Sequence, residues 1–144
     1  PVFVDASPVR LALARDCLAR GLNVVRCNGA ELAALSPAAD AMAFGRDTGC
    51  VVAVTGAIDT VTDGDRSLRI ANGHALMAAV TAMGCAGAAL IAAFAALEPD
   101  RVTATAAALA VLGVAGEIAG ERAGGPGTFP ALFLDALAAL DAAV

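Results

Sequence analysis

From residue 70 to residue 97 the chain carries no charged side chain. A neutral stretch of that length has to be surrounded by protein or by lipid, and residues 76–97 are long enough to cross a bilayer. Asn72, Gly73, His74, Thr81, Gly84 and Gly87 interrupt it, Ala rather than Leu or Ile fills it, and it lacks both an aromatic belt and a flanking Arg cluster. The expectation is a buried helix of a soluble domain, not a membrane span.

Composition narrows the choice further. Apolar residues make up 59% of the chain, yet 39 residues are Ala, five are Phe, and there is no Trp or Tyr. So apolar a chain is not disordered, and a core of small side chains favours closely packed helices. All nine positive charges are Arg. That excludes the P-loop lysine, the Schiff-base lysine and the strand lysine of protein kinases. The formal charge of −5, with no basic stripe, argues against nucleic acid. Cys17, Cys27, Cys50 and Cys85 form no C-x-x-C pair, and His74 is the lone histidine, so a Cys/His zinc site is not expected. Scattered thiols and the lack of a recognisable export signal point to a reducing cytoplasm without disulfides. A single domain over residues 1–144 is expected.

The order of elements predicts an α/β fold. Residues 2–4 read as a short strand, followed by a helix with Ser7 as N-cap and Pro8 at its first position, running to Arg20 before Gly21. Leu11, Ala14 and Leu18 form its inward stripe. Residues 23–27 read as a strand, 29–35 as a short helix and 37–47 as another. Residues 50–54, a continuous β-branched run, read as a strand buried on both faces. Residues 58–62 and 67–71 flank Asp63-Gly64-Asp65-Arg66 as a hairpin. Three helices follow, over 84–97, 100–122 and 131–142. Such an order predicts a parallel sheet with its ligand site at the carboxyl ends of the strands. Few strands for so many apolar helices also predict covering surface from further chain or another subunit.

Several positions at those strand ends have two readings each. Around Gly84 and Cys85 a loop enters an apolar helix, where free amides and the helix dipole favour a phosphate and pull a thiol toward thiolate. Equally, Cys85 is a small core residue and Gly84 a packing glycine. Asn28 and Glu31 hold Mg²⁺ at the sheet edge with Arg26 on a polyphosphate, or they form a capping box. Thr55-Gly56 offers a hydroxyl and a close backbone to a nucleotide, or simply ends a strand. His74 reads as a loop residue, Glu117 and Glu121 with Arg122 as a solvated or subunit-contact patch, and residues 124–127 as a turn.

Seven segments in order, Val-Val-Arg-Cys-Asn-Gly-Ala-Glu (24–31), Val-Ala-Val-Thr-Gly-Ala-Ile-Asp (52–59), Val-Thr-Asp-Gly (61–64), Asn-Gly-His-Ala-Leu-Met (72–77), Thr-Ala-Met-Gly-Cys (81–85), Gly-Val-Ala-Gly-Glu (113–117) and Gly-Pro-Gly-Thr-Phe (125–129), resemble the hydroxyethylthiazole kinases of thiamine biosynthesis. The likeness covers nearly the whole chain and roughly the second half of that family's length. It implies a ribokinase-like three-layer α/β/α fold with a mostly parallel central sheet, incomplete in this chain. It further implies transfer of the ATP γ-phosphoryl group to the hydroxyl of 4-methyl-5-(2-hydroxyethyl)thiazole, in a cytoplasmic trimer. By the same resemblance Arg26, Thr55 and Gly84 bind nucleotide, Asn28 and Glu31 attend Mg²⁺, Ala82 contacts the thiazole and Cys85 is catalytic.

The chain departs from the family pattern in places. Ala82 and Met83 stand where the family loop has Gly and Thr, no Pro-Val-Gly-Val-Gly segment follows Asp5, and the loop after Leu35 is short. The alternative to the kinase is therefore a non-catalytic nucleotide-binding or assembly module of the same fold. A thiol-dependent hydrolase or transferase built on Cys85 lacks a convincing base.

Overall fold

Two β-branched runs form the middle of the fold. The structure, a computed structural model, describes residues 3–140. In it β1 (Val24–Asn28) and β2 (Val51–Thr55) pair in parallel, with Val25 opposite Val52 and Asn28 opposite Thr55. The hairpin expected next is present as β3 (Asp59–Thr62) and β4 (Ser67–Ile70), antiparallel to each other and to β2. Its turn is fixed by Asp63 Oδ1, which accepts the amides of Asp65 and Arg66, and by Gly64 at φ 100°. The sheet order is β1-β2-β3-β4. The α/β class holds, but within the described residues parallel pairing is confined to β1 and β2, because the last two strands form a hairpin.

Side-chain alternation divides the core in two. Val25, Cys27 and Val52 face one layer, whose helices are α1 (Pro8–Ala19), α2 (Gly29–Leu35) and α3 (Ala41–Thr48). Val51, Ala53 and Val61 face the other, built from α5 (Met83–Leu97), α6 (Arg101–Arg122) and α7 (Phe129–Ala139), with the single turn α4 (Leu76–Ala79) beside them. Three layers result. Val52, Val61 and Ala53 are fully buried between them, as a strand covered on both faces requires.

Local signals account for most helix boundaries. Ser7 Oγ accepts the Arg10 amide, Pro8 opens α1, and Gly21 at φ 81° follows its end. Leu11, Ala14 and Leu18 pack on the core as their spacing predicts. The helix expected from residue 37 starts later, because Asp40 Oδ1 caps the amides of Met42 and Ala43. Residues 3–4 of the expected first strand are not extended: Phe3 has φ 51°, Val4–Ala6 is a 3-10 turn, and residue 2 lies outside the described residues. The cause is a tether, since the Phe3 amide donates to Glu31 Oε1 at 2.9 Å instead of to a neighbouring strand.

The uncharged stretch is not one helix. It breaks at Ala82, which takes the left-handed conformation (φ 68°) between α4 and α5. Only α6, among the described residues, is long and apolar enough to cross a membrane, and 56% of its apolar window is buried within the protein. Of the final helix expected over 131–142, residues 141 and 142 lie outside the described part. One face of α6 is cut away by Gly113, Gly116 and Gly120. Asn72 lies over the first, Met77 over the second and His74 over the third, each so close that a Cβ would collide. Asn72 Nδ2 donates to Ala110 O at 2.8 Å, the Gly73 amide donates to Glu117 Oε1 at 3.0 Å, and the His74 ring stacks on Phe129. Glu117 is therefore not simply a solvated charge: it anchors the 72–77 segment to α6.

Candidate functional site

The carboxyl ends of β1 and β2 are adjacent because the two strands are parallel and in register, which sets Asn28 opposite Thr55. Arg26, two residues earlier, points toward the α5 layer, where its Nη2 donates to Thr55 Oγ1 at 2.6 Å. Thr55 Oγ1 in turn donates to Cys27 O at 3.3 Å. On its other side the guanidinium lies against Gly84, and a Cβ there would stand 2.5 Å from Nη1. Arg26, Thr55 and Gly84, expected together from the sequence, are thus in one place.

The first turn of α5 closes this place from above. Its ladder begins with the Ala86 amide bonding to Ala82 O at 3.0 Å, so the amides of Met83, Gly84 and Cys85 lie ahead of it. Among the described residues no side chain caps them. Three free amides, a helix dipole and a guanidinium make a site suited to an anion with several oxygens. Cys85 is in that turn and exposed. Ala82, the N-cap, is exposed as well.

Asn28 and Glu31 sit beside the site but are committed to structure. Asn28 Oδ1 accepts the Glu31 amide at 2.8 Å and Glu31 Oε2 accepts the Asn28 amide at 3.0 Å, the reciprocal capping box. Glu31 Oε1 takes the Phe3 amide, and the residue is 3% exposed. Each Glu31 carboxylate oxygen thus accepts one amide and keeps a second lone pair, so the capping box is formed without using up the acceptor capacity of the carboxylate. Among the described residues no group of three His, Cys, Asp or Glu gathers elsewhere.

Two further titratable groups lie close by. Asp59 was not singled out by sequence reasoning, although its place just past the β2–β3 turn was visible. Its Oδ1 accepts the Gly56 amide at 2.9 Å. Burial raises its carboxyl above the usual range, opposed by that amide and by the nearby Arg26. Cys27, under the site, is pushed up to about 11 by burial first and then by the Glu31 carboxylate, so it stays a neutral thiol.

The sequence model of the hydroxyethylthiazole kinase family matches residues 37–143. The chain belongs to the hydroxyethylthiazole kinase family. It is 48% identical over 161 aligned residues to the hydroxyethylthiazole kinase of Granulibacter bethesdensis, covering 100% of this chain and 59% of that protein. It is 45% identical to the probable hydroxyethylthiazole kinase of Agrobacterium fabrum, across 95% of this chain and 52% of that one. The solved hydroxyethylthiazole kinase structure from Pyrococcus horikoshii superposes with a TM-score of 0.92 at 37% identity, over 98% of this chain and 58% of that chain. The chain therefore spans between half and three-fifths of the length of these kinases.

Proposed function

We propose that these residues form the nucleotide-binding part of a hydroxyethylthiazole kinase, which transfers the γ-phosphoryl group of Mg·ATP to the hydroxyl of 4-methyl-5-(2-hydroxyethyl)thiazole. The observation that carries the reading is the convergence of Arg26, Thr55 and the Gly84 turn at the carboxyl ends of two parallel strands. Phosphoryl transfer depends mainly on positioning and on charge stabilisation. In this reading Arg26 and the α5 amides hold the donor phosphates and Thr55 keeps the guanidinium aimed. The substrate oxygen attacks the γ-phosphorus, the bond to the bridging oxygen breaks, and ADP departs. Cys85 receives or orients the proton leaving the alcohol, with Ala82 against the thiazole. Asn28 and Glu31 cap α2 and, through the lone pairs those bonds leave, would attend the Mg²⁺, which when bound would offset the phosphate charge. The enzyme is proposed to be a cytoplasmic homotrimer acting on a small molecule, without nucleic acid or membrane partners.

The test is ADP release with ATP and the thiazole alcohol, paired with calorimetry of ATP binding. Arg26→Ala is expected to weaken ATP binding at least tenfold. Cys85→Ala is expected to lower turnover while leaving ATP affinity within about twofold. ATP binding without transfer, in a polypeptide of full family length, supports instead the non-catalytic module, which the left-handed Ala82 favours. ATP affinity unaffected by Arg26→Ala overturns both readings.

A further inference from the structure

Residues of three neighbouring strands share one row at the edge of the sheet that carries the anion site. Asn28 lies opposite Thr55 across β1 and β2, and the β2–β3 register, with Val54 opposite Thr60, carries that row on to Asp59. Side chains alternate along each strand, so Arg26, Thr55 and Asp59 share the face that Ala53 and Val61 turn to the layer of α5, α6 and α7.

The Arg26 guanidinium is lightly held. Among the described residues it makes one hydrogen bond, from Nη2 to Thr55 Oγ1 at 2.6 Å, while Nε is buried without a partner and Nη1 lies against Gly84. A guanidinium has five N–H donors, so its aim depends on that one acceptor. Thr55 in turn is paired on one side only. Its main chain lies opposite Asn28 of β1, but the pairing of β2 with β3 stops at Val54. Beyond Thr55 comes the exposed turn of Gly56, Ala57 and Ile58. Packing does not fix this turn, since a Cβ on Gly56 would meet nothing nearer than Ile58 O at 3.9 Å. The bond that spans it runs from the Gly56 amide to Asp59 Oδ1, at 2.9 Å. The Gly56 amide and the Thr55 carbonyl belong to one planar peptide unit, so holding the first sets ψ of Thr55. Asp59 is a firm post for this, because its own main chain pairs with Ile70 of β4. Burial raises its carboxyl, opposed by the Gly56 amide and then by Arg26, so the guanidinium stands within electrostatic reach.

We infer that Asp59 is a positioning residue of the anion site: through the Gly56 amide it fixes Thr55, and through Thr55 it keeps the Arg26 guanidinium aimed beside the free amides of α5. The inference deepens the nucleotide reading above and rests on it for the identity of the anion. What Asp59 supplies is an oxygen acceptor. Its negative charge works the other way, because it opposes an anion bound nearby.

The test uses this chain, inorganic tripolyphosphate as the anion, and calorimetry at a temperature where each variant is folded. Asp59→Ala removes the acceptor and is expected to weaken binding about fivefold or more. Asp59→Asn keeps Oδ1 for the Gly56 amide and removes the charge, so it is expected to bind at least as tightly as the unsubstituted chain. Action through Arg26 is read from a double-mutant cycle: in an Arg26→Ala background, Asp59→Ala is expected to cost nothing more. NMR relaxation of the Arg26 side chain, with no anion present, is expected to show more motion in Asp59→Ala and unchanged motion in Asp59→Asn. Should Asp59→Ala not fold, Asp59→Val, which favours a strand and lacks the acceptor, takes its place. Additive losses in the cycle, equal losses in the Ala and Asn variants, or an Arg26 side chain as rigid in Asp59→Ala as before overturn the inference. Failure of tripolyphosphate to bind the unsubstituted chain, with the NMR result as expected, overturns the nucleotide reading and leaves the positioning standing.

Discussion

Gly84 gives the Arg26 guanidinium its room: the two are so close that a methyl group on Gly84 would stand 2.5 Å from Nη1. The colliding atom is the far end of a flexible side chain, so Gly84→Ala does not threaten the fold. Replacing a helical glycine gains about 1 kcal/mol of helix propensity. What is lost is aim, because the guanidinium must leave Thr55 Oγ1. A hydrogen bond from a charged group contributes about 1.5–3 kcal/mol. Gly84→Ala is therefore expected to keep or raise the melting temperature while weakening ATP binding by roughly tenfold or more, measured by calorimetry.

Much of this site was legible because parallel strands bring their carboxyl ends together whatever surrounds them. The β-branched runs located β1 and β2, and from there Arg26, Asn28 and Thr55 followed. Asn28 and Glu31 were legible as a pattern, but cap and cation use the same letters, and the Phe3 amide on Glu31 Oε1 is a contact that no local pattern announces. That long-range tether also explains why residues 3–4 are not a strand. By helix propensity alone the α6 glycines are unfavourable. Their purpose depends on the 72–77 segment lying across them, a contact between elements that no local pattern encodes.

Arg66 links the hairpin to α6 through a two-pronged bond to Asp100, with distances of 2.9 and 2.8 Å. The guanidinium, and then Thr103, hold the Asp100 carboxyl well below the usual carboxylate range. A depressed folded-state value gives stability that is present above the unfolded pKa, about 4, and lost as pH falls through the folded one. The melting temperature is accordingly expected to drop below about pH 4. Asp100→Asn is expected to flatten that drop, since Asn still caps α6 where Asp100 accepts the Val102 amide. Added salt weakens the same effect, because the pair is solvent-exposed.

Ala82 holds a left-handed conformation at the entrance to α5. A residue with a Cβ is disfavoured there by about 1–2 kcal/mol. Glycine removes that penalty but adds unfolded-state freedom worth about 0.4–1 kcal/mol. The first effect is larger, so Ala82→Gly is expected to stabilise by about 0.5–1 kcal/mol, seen as a higher urea midpoint at unchanged slope. In an active kinase of full length, the same change is expected to lower the KM for the thiazole alcohol, because it removes a methyl group from the proposed pocket.

Glu31 separates capping from metal binding by experiment. Its two oxygens hold the amides of Phe3 and Asn28, and neither bond needs a cation. Glu31→Gln keeps the shape but turns an amide NH₂ toward one of those N–H donors, leaving a buried donor unsatisfied, at a cost of about 1–3 kcal/mol. If the carboxylate is structural, that loss is the same in EDTA and in millimolar Mg²⁺. Removing the charge also relieves the second cause of the high Cys27 value, so the thiol is expected to titrate below about 11. A stability loss that appears only with Mg²⁺ present, and an unmoved Cys27, would assign the carboxylate to the metal instead.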